Sequence, residues 1–368
     1  MRTEQPPAGV SAPAIATAAS TAAFAARFPA LAAAHHFRKL RHGPAWSVSS
    51  LGLGTYLGPA DEATDARYAA ALDAALAGGI NLLDTASNYR DQRSERMIGA
   101  VLARAGVARG EIVVCSKAGF INPGDRFPQG LIRPGELVGG VHCMAPVFLA
   151  HQLERSLANL ALDAIDVYYL HNPEFQQAQL GREEFYRRLR LAFALLEQQA
   201  AQGRIAAYGL ATWSGLRVAP DDAEFLDLQR AVSLARELAG DGHHFRFLQL
   251  PYNLAMPEAS VLMNQAVEKP PYVSVLNAAY RLGLNVVASA SLMQGQLARL
   301  PAEARTHLQQ FLPGPASDAA LALQFARSST GVASALVGLS TPAHVAEALA
   351  LAALAPAPPS QVAKLLQQ

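Results

Sequence analysis

Cysteine is scarce in this chain: Cys115 and Cys143 are the only two in 368 residues. That is too few for a disulfide framework and suits a reducing compartment. Charge is sparse as well, at 16% of residues, and it nearly cancels to a formal net charge of +1. Nucleic acid and anionic membranes need clustered Lys and Arg, so neither is expected as a partner. Long hydrophobic runs are missing too. Stretches such as 319–326 are broken by polar residues well short of the roughly 20 that span a bilayer, and a soluble protein is expected. His142 beside Cys143 has no spaced second pair of ligands, so no metal site is expected.

What the chain does have is apolar surface, with 51% hydrophobic residues, enough for a large core. Residues 1–36, rich in Ala, Thr, Ser and Pro, read as a disordered Ala-rich extension. Their apolar stretch is too weak for a signal peptide, and a cytoplasmic location is expected. From about residue 48 short apolar runs alternate with longer amphipathic ones, and residues 37–368 read as one domain. The strand candidates are 50–55, 80–85, 112–117, 165–171, 206–212, 245–252, 285–291 and 334–340. Helix-like stretches at 63–77, 94–105, 148–161, 183–202, 224–239 and 318–327 lie between them. Eight strand-helix repeats imply right-handed crossovers and a parallel sheet that closes into an α/β (β/α)8 TIM barrel. An open doubly wound sheet would carry GxGxxG after its first strand; GLGT at 52–55 is not that motif. Gly52 and Gly54 are read instead as a strand end and turn with glycine at positive φ. Segments 37–40 and 46–48 are candidates for an N-terminal β-hairpin sealing the bottom of the barrel.

In such a barrel the active site lies at the C-terminal ends of the strands. Asp84, Lys117 and His171 close the second, third and fourth predicted strands, and Tyr89 follows Asp84 by five residues. Taken singly, each has an ordinary explanation: a helix cap, a snorkelling lysine, a satisfied histidine, a packing aromatic. Together they form a proton-transfer set. An ammonium at Lys117 would lower the pKa of the Tyr89 phenol, Asp84 would keep Lys117 charged, and His171 would align a carbonyl oxygen. No side chain supplies hydride, so a nicotinamide cofactor is implied. Cys115, in an apolar strand, reads as a core residue, and Cys143 as a loop thiol.

With LGLGTYLG, NLLDTASNYR, VVCSKAG, IDVYYLHNPE, FLQLPYNL and ALVGLSTPAHVAEAL, the chain resembles the aldo-keto reductases from about Phe37 to Leu351. The resemblance implies a catalytic tetrad of Asp84, Tyr89, Lys117 and His171. It also implies reduction of an aldehyde or ketone by NADPH, with Tyr89 as general acid. It assigns cofactor contacts to Gly54, Thr55, Tyr56, Asp84, Thr212, Gln249, Ser289, Leu292, Gly338, Ser340, His344 and Glu347. Four positions depart from the family pattern. Ala211 and Thr212 replace Ser and Asn, Ser289 replaces a stacking Tyr, and His344 replaces an Arg for the 2′-phosphate, which leaves NADH possible. The expected substrate is a small-molecule carbonyl or sugar-like compound. A non-reductive cofactor-using enzyme, an epimerase or dehydratase, and a redox-sensing regulatory subunit remain alternatives on the same barrel. The long loops at the C-terminal face are 119–146, read as a substrate-selecting loop or a surface excursion, and 292–317, in which Met293 and Phe311 are candidates to line the pocket.

Overall fold

The apolar runs become strands because their alternate residues have two different places to go. In the computed structural model, which describes residues 15–367, the chain opens with α1 (Ala18–Ala26) and α2 (Pro29–Ala33). A hairpin of β1 (Phe37–Lys39) and β2 (Ser47–Ser49) follows. Next come β3 (Leu51–Gly54), α3 (Glu62–Gly78), β4 (Leu82–Asp84), α4 (Arg93–Leu102) and β5 (Val113–Ala118). The small pair β6 (Leu137–Val138) and β7 (His142–Cys143) precedes α5 (Pro146–Leu160) and β8 (Ile165–His171). After α6 (Glu174–Leu180) and α7 (Arg182–Ala201) come β9 (Ile205–Ala211), α8 (Leu228–Ala239) and β10 (Phe245–Pro251). Then follow α9 (Glu258–Val261), a second hairpin of β11 (Met263–Val267) and β12 (Lys269–Ser274), α10 (Val275–Leu282) and β13 (Asn285–Ser289). The chain ends with α11 (Ala302–Phe311), α12 (Asp318–Ser328), β14 (Val332–Val337), α13 (Pro342–Ala352) and α14 (Pro359–Leu365).

Strands β3, β4, β5, β8, β9, β10, β13 and β14 pair in parallel in that order, and β14 returns to β3 to close the barrel. The eight-stranded barrel is therefore the one the alternation implies. Leu82, Val113, Cys115, Val167, Tyr169, Phe247, Val287 and Leu336 fill its interior. Their neighbours Leu83, Val114, Tyr168, Leu248 and Val286 face the helical layer. Burying each such side chain contributes about 1.5–3 kcal/mol. Gly52 and Gly54 are not left-handed, contrary to the expectation. Gly52 is needed for close approach, since a Cβ there would lie 2.7 Å from one methyl of Leu82 and 2.8 Å from one of Leu336.

The β1–β2 hairpin closes the N-terminal end of the barrel, with Trp46 stacked on Phe247 at 6.1 Å between ring centroids. The extension corrects the expectation of disorder over its described part, and residues 1–14 lie outside the described residues. Phe24 on α1 is fully buried and meets Phe37 edge-on at 6.1 Å. The Ala16 N–H donates to Asp166 Oδ1 at 2.7 Å, and the Trp46 indole N–H donates to the Ala16 carbonyl at 2.9 Å. The buried Arg327 guanidinium donates to carbonyls of Ala34, Leu351 and Leu354. These partners come from the folded barrel, so an Ala-rich composition with little amphipathic signal is no guide to the order they impose.

Cys143, expected in a loop, sits buried in β7, and burial pushes its thiol up to about 11. The β11–β12 hairpin carries no alternating signal in sequence. Its Gln265 accepts the Leu228 N–H at 3.0 Å and donates to the Leu226 carbonyl at 3.1 Å, at the start of α8. Among the described residues no helix is long and apolar enough to cross a membrane.

Docking of α1 through Phe24 predicts that Phe24→Ala destabilises the protein by about 3–5 kcal/mol. Urea unfolding measures this, and a loss under about 0.5 kcal/mol, the range of a neutral surface change, would mean that α1 contributes nothing to the fold.

Candidate active site

Four strands deliver polar side chains to the C-terminal rim. Asp84 and His171 are the last residues of β4 and β8, Lys117 is the penultimate residue of β5, and Gln249 lies near the end of β10. Lys117 Nζ lies 2.6 Å from Asp84 Oδ2, 2.8 Å from the Thr85 carbonyl and 3.1 Å from Tyr89 Oη. Gln249 donates its amide to the other Asp84 oxygen at 2.7 Å. The Tyr89 and His171 rings meet edge-on, 5.8 Å apart.

Tyr89 stands on the turn after β4, and the three residues that follow are all left-handed, with φ of 48°, 54° and 64° at Arg90, Asp91 and Gln92. Such backbone needs tertiary support. Arg90 provides it: its buried guanidinium donates to the carbonyls of Pro59 and Asp61 and pairs with Asp65 at 2.6 Å.

Burial by itself would lower the Lys117 ammonium, but the Asp84 charge and the hydrogen bonds to Asp84 and Tyr89 outweigh it and hold the group above its ordinary value. The Tyr89 phenol departs from the expectation. Burial raises it, and the opposing charge of Lys117 does not bring it below the ordinary value. Tyr89 therefore holds its proton firmly at neutral pH. His171 is driven well down by burial and then by Lys117, so its ring is neutral. Beneath it, burial lowers His142 to about 4. His142 Nε2 donates to the His171 carbonyl at 2.7 Å, and its Nδ1 accepts from Gln176 at 3.1 Å.

These groups line the floor of one cavity of about 750 Å³, within the range of sites for small molecules and cofactors. Asp84, Tyr89 and His171 face it, while Lys117 lies beneath them. Every residue assigned above to cofactor contact borders it: Gly54, Thr55, Tyr56, Asp84, Thr212, Gln249, Ser289, Leu292, Gly338, Ser340, His344 and Glu347. The Thr212 hydroxyl is buried there without a hydrogen-bond partner. Glu347 accepts from the Ser317 hydroxyl at the far end, where α13 starts with its N-cap Thr341. The segment from β13 to Gly295 forms one lip, with left-handed backbone at Ala290, Met293 and Gln294.

Met293 and Phe311 do not border the cavity. Leu292, Gln294, Gly295 and Ala298 do, and Phe311 is instead buried in the core on α11. From the 119–146 excursion only Phe120 reaches the cavity, while Asp125 and Gly135 tie the excursion to Arg155 and Arg188. Asn88, Asn172 and Trp213 also border it and were not anticipated. Trp213 directly follows Thr212, the end of the strand expected at 206–212, a cue in the sequence. Leu323, inside α12, is indistinguishable there from any core leucine.

The sequence model of the Aldo/keto reductase family matches residues 50–306. A D-threo-aldose 1-dehydrogenase from Pseudomonas sp is 34% identical over 153 residues, 38% of this chain and 42% of that protein. The chain thus spans less than half the length of that curated relative. Among solved structures, an aldo/keto reductase from Klebsiella pneumoniae in complex with NADP and acetate is 21% identical, with a TM-score of 0.62. The comparison covers 89% of this chain and 94% of that one. Glycerol dehydrogenase from Gluconobacter oxydans is 19% identical, with a TM-score of 0.64, covering 90% and 94%. These structures share the barrel.

The buried, neutral His142 has a pH consequence. Its folded value of about 4 lies below the ordinary 6.5, so between these values the unfolded chain binds the extra proton and stability falls as pH falls. His142→Asn removes that titration. The stability margin of the native protein over this variant is expected to shrink by about 1.4 kcal/mol per unit as pH drops from 6.5 towards 4. Denaturant titrations at several pH values test this; a constant margin would mean that His142 accepts a proton in place.

Proposed function

Because the chain belongs to the aldo/keto reductase family, we propose that it transfers hydride between a nicotinamide dinucleotide and a small carbonyl compound or its alcohol. The carrying observation is the Tyr89 phenol, 3.1 Å from a lysine ammonium that is itself paired with Asp84, on the floor of a large cavity. The cavity residues fit a dinucleotide. The unpartnered Thr212 hydroxyl and Gln249 stand near the tetrad, where a carboxamide would need polar partners. The α13 N-terminus at the other end suits a phosphate. The cofactor supplies or takes the hydride when bound.

The side chains divide the rest of the work. Tyr89 Oη accepts from Lys117, leaving its own proton free for a substrate oxygen. Neutral His171 donates an N–H that orients that oxygen. As negative charge develops on the oxygen, Tyr89 gives up its proton, and the nearby Lys117 ammonium stabilises the tyrosinate left behind. The firm resting phenol and the adjacent cation thus serve different moments of one step.

A sugar-like substrate is favoured by the partial likeness to an aldose dehydrogenase and by the exposed rings of Tyr56 and Trp213 at the cavity. NADPH is the preferred cofactor in this reading, supported by the Klebsiella pneumoniae relative solved with NADP. Ser340 and His344 would meet the 2′-phosphate. No Lys or Arg among the described residues borders the cavity, so preference over NADH is modest.

Tyr89→Phe is expected to lower turnover of a reactive aldehyde by about 10²–10⁴-fold, the contribution of a general acid, while the dinucleotide Kd stays within about twofold. Steady-state kinetics with single-turnover analysis decides it, and a loss below tenfold in the chemical step would remove Tyr89 from the role. His344→Arg is expected to raise the preference for NADPH over NADH by about tenfold or more at neutral pH, through a charge-assisted pair with the phosphate. Fluorescence titration with both cofactors measures the ratio; an unchanged ratio would show that the phosphate sits elsewhere.

A further inference from the structure

Glu174 is a buried acid that takes no part in the chemistry above. It follows β8 at the start of α6, with its side chain almost fully enclosed. Its Oε1 accepts the backbone N–H of Trp213 at 2.6 Å and of Ser214 at 3.1 Å. Its Oε2 is buried with no partner. The held segment is a wall of the cavity: Trp213 borders it with its indole 45% exposed, and the preceding Thr212 N–H donates to the Gln249 carbonyl at 2.8 Å. Asn172, two residues before Glu174, also borders the cavity and donates its N–H to the Ala211 carbonyl at 2.6 Å. One carboxyl group therefore joins the loop after β8 to the loop after β9.

We propose that Glu174 is a positioning residue: by gripping the Trp213–Ser214 backbone it sets where the Trp213 indole stands at the cavity, and so how tightly a carbonyl substrate is held. The substrate half of this inference rests on the oxidoreductase reading; the grip on Trp213 does not. A second, unpartnered oxygen is a costly feature for a purely structural tie, because a buried acceptor without a donor loses its hydration for nothing. It also gives an incoming proton a place to go without displacing either N–H. Burial raises the carboxyl to about 7, against the hydrogen bonds from the Trp213 and Ser214 backbone that favour its anion. Protonated at Oε2, the group keeps Oε1 only as a neutral acceptor, roughly half as strong as a charged one. The grip on Trp213 is then weaker below pH 7 than above it.

Other charged groups surround this joint. Arg217 donates to the Trp213 carbonyl and pairs with Glu258 at 2.7 Å, and Glu224 accepts from the Ser214 hydroxyl. On the other side stand His142, which Gln176 of α6 contacts, and His171. Burial holds both histidines below their ordinary value. Glu174→Gln separates Glu174 from all of these, because an amide keeps an acceptor oxygen but does not titrate.

The chain has two tryptophans, and Trp46 is buried at the bottom of the barrel. Full-length Trp46→Phe protein therefore reports on Trp213 alone. Acrylamide quenching of its fluorescence is expected to rise as pH falls, with a midpoint near 7. In the Trp46→Phe, Glu174→Gln protein the profile should be flat between about pH 5.5 and 8.5, a window that brackets the titration. A flat profile with Glu174 present, or the same titration in the Trp46→Phe, Glu174→Gln protein, overturns the proposal.

In kinetics at pH 8, Glu174→Ala is expected to raise KM for an aldehyde roughly threefold to tenfold, the effect of losing hydrogen bonds to a charged group. The dinucleotide Kd and kcat should stay within about twofold, and Glu174→Gln should restore most of KM. An unmoved KM beside an intact fluorescence titration overturns the substrate half. If no carbonyl is turned over with either dinucleotide, the oxidoreductase reading fails, and the quenching profile still decides whether Glu174 holds Trp213.

Discussion

The ion pair between Lys117 and Asp84 is the constraint around which the open end of the barrel is arranged. Both side chains are nearly inaccessible to water and meet at 2.6 Å. A lone buried charge costs several kcal/mol, so the pair is tolerable only with its remaining hydrogen-bonding capacity filled. The Thr85 carbonyl and Tyr89 hydroxyl complete the ammonium, and Gln249 completes the carboxylate from the opposite side of the barrel. The requirement reaches far along the chain. Residues 84, 117 and 249 converge only if β4, β5 and β10 hold their registers within one closed sheet.

Rigidity is distributed accordingly. The N-terminal end of the barrel is filled by Trp46 and Phe247 and braced by α1, Asp166 and Arg327. The C-terminal end carries the unusual backbone, at Arg90–Gln92 and again at Ala290, Met293 and Gln294. It also carries the unpartnered Thr212 hydroxyl and Glu174 carboxyl oxygen. Left-handed non-glycine residues and unsatisfied polar atoms each cost about 1–3 kcal/mol. They persist where packed strands beneath over-determine the loops. Polar atoms left open in the cavity are then available to a ligand.

The Tyr89 phenol illustrates how tertiary burial revises a sound pairwise argument. A cation 3.1 Å away should lower it, and that attraction is present. Desolvation acts on the same group and is larger. The sequence discloses the neighbour but carries no measure of burial, so the sign of the shift belongs to the folded molecule.

Alternation of apolar runs with amphipathic stretches implied a parallel sheet covered by helices on both faces, and eight such repeats with no GxGxxG after the first strand pointed to a closed barrel. The strand-end positions of Asp84, Lys117 and His171 followed from the same pattern, since an ionisable residue ending an apolar run marks the rim. Features made by residues distant in sequence were not available that way. The ordering of residues 15–36 depends on pockets formed by Phe37, Asp166 and Arg327. The use of Gly52 depends on the approach of Leu82 and Leu336. Which residues of the loop after β13 face the cavity depends on left-handed turns that place Gln294 at the wall and leave Met293 off it. Local sequence sets periodicity and strand ends through backbone geometry; long-range packing alone decides which polar groups lose water and which partners they gain, and that decides how a site is tuned.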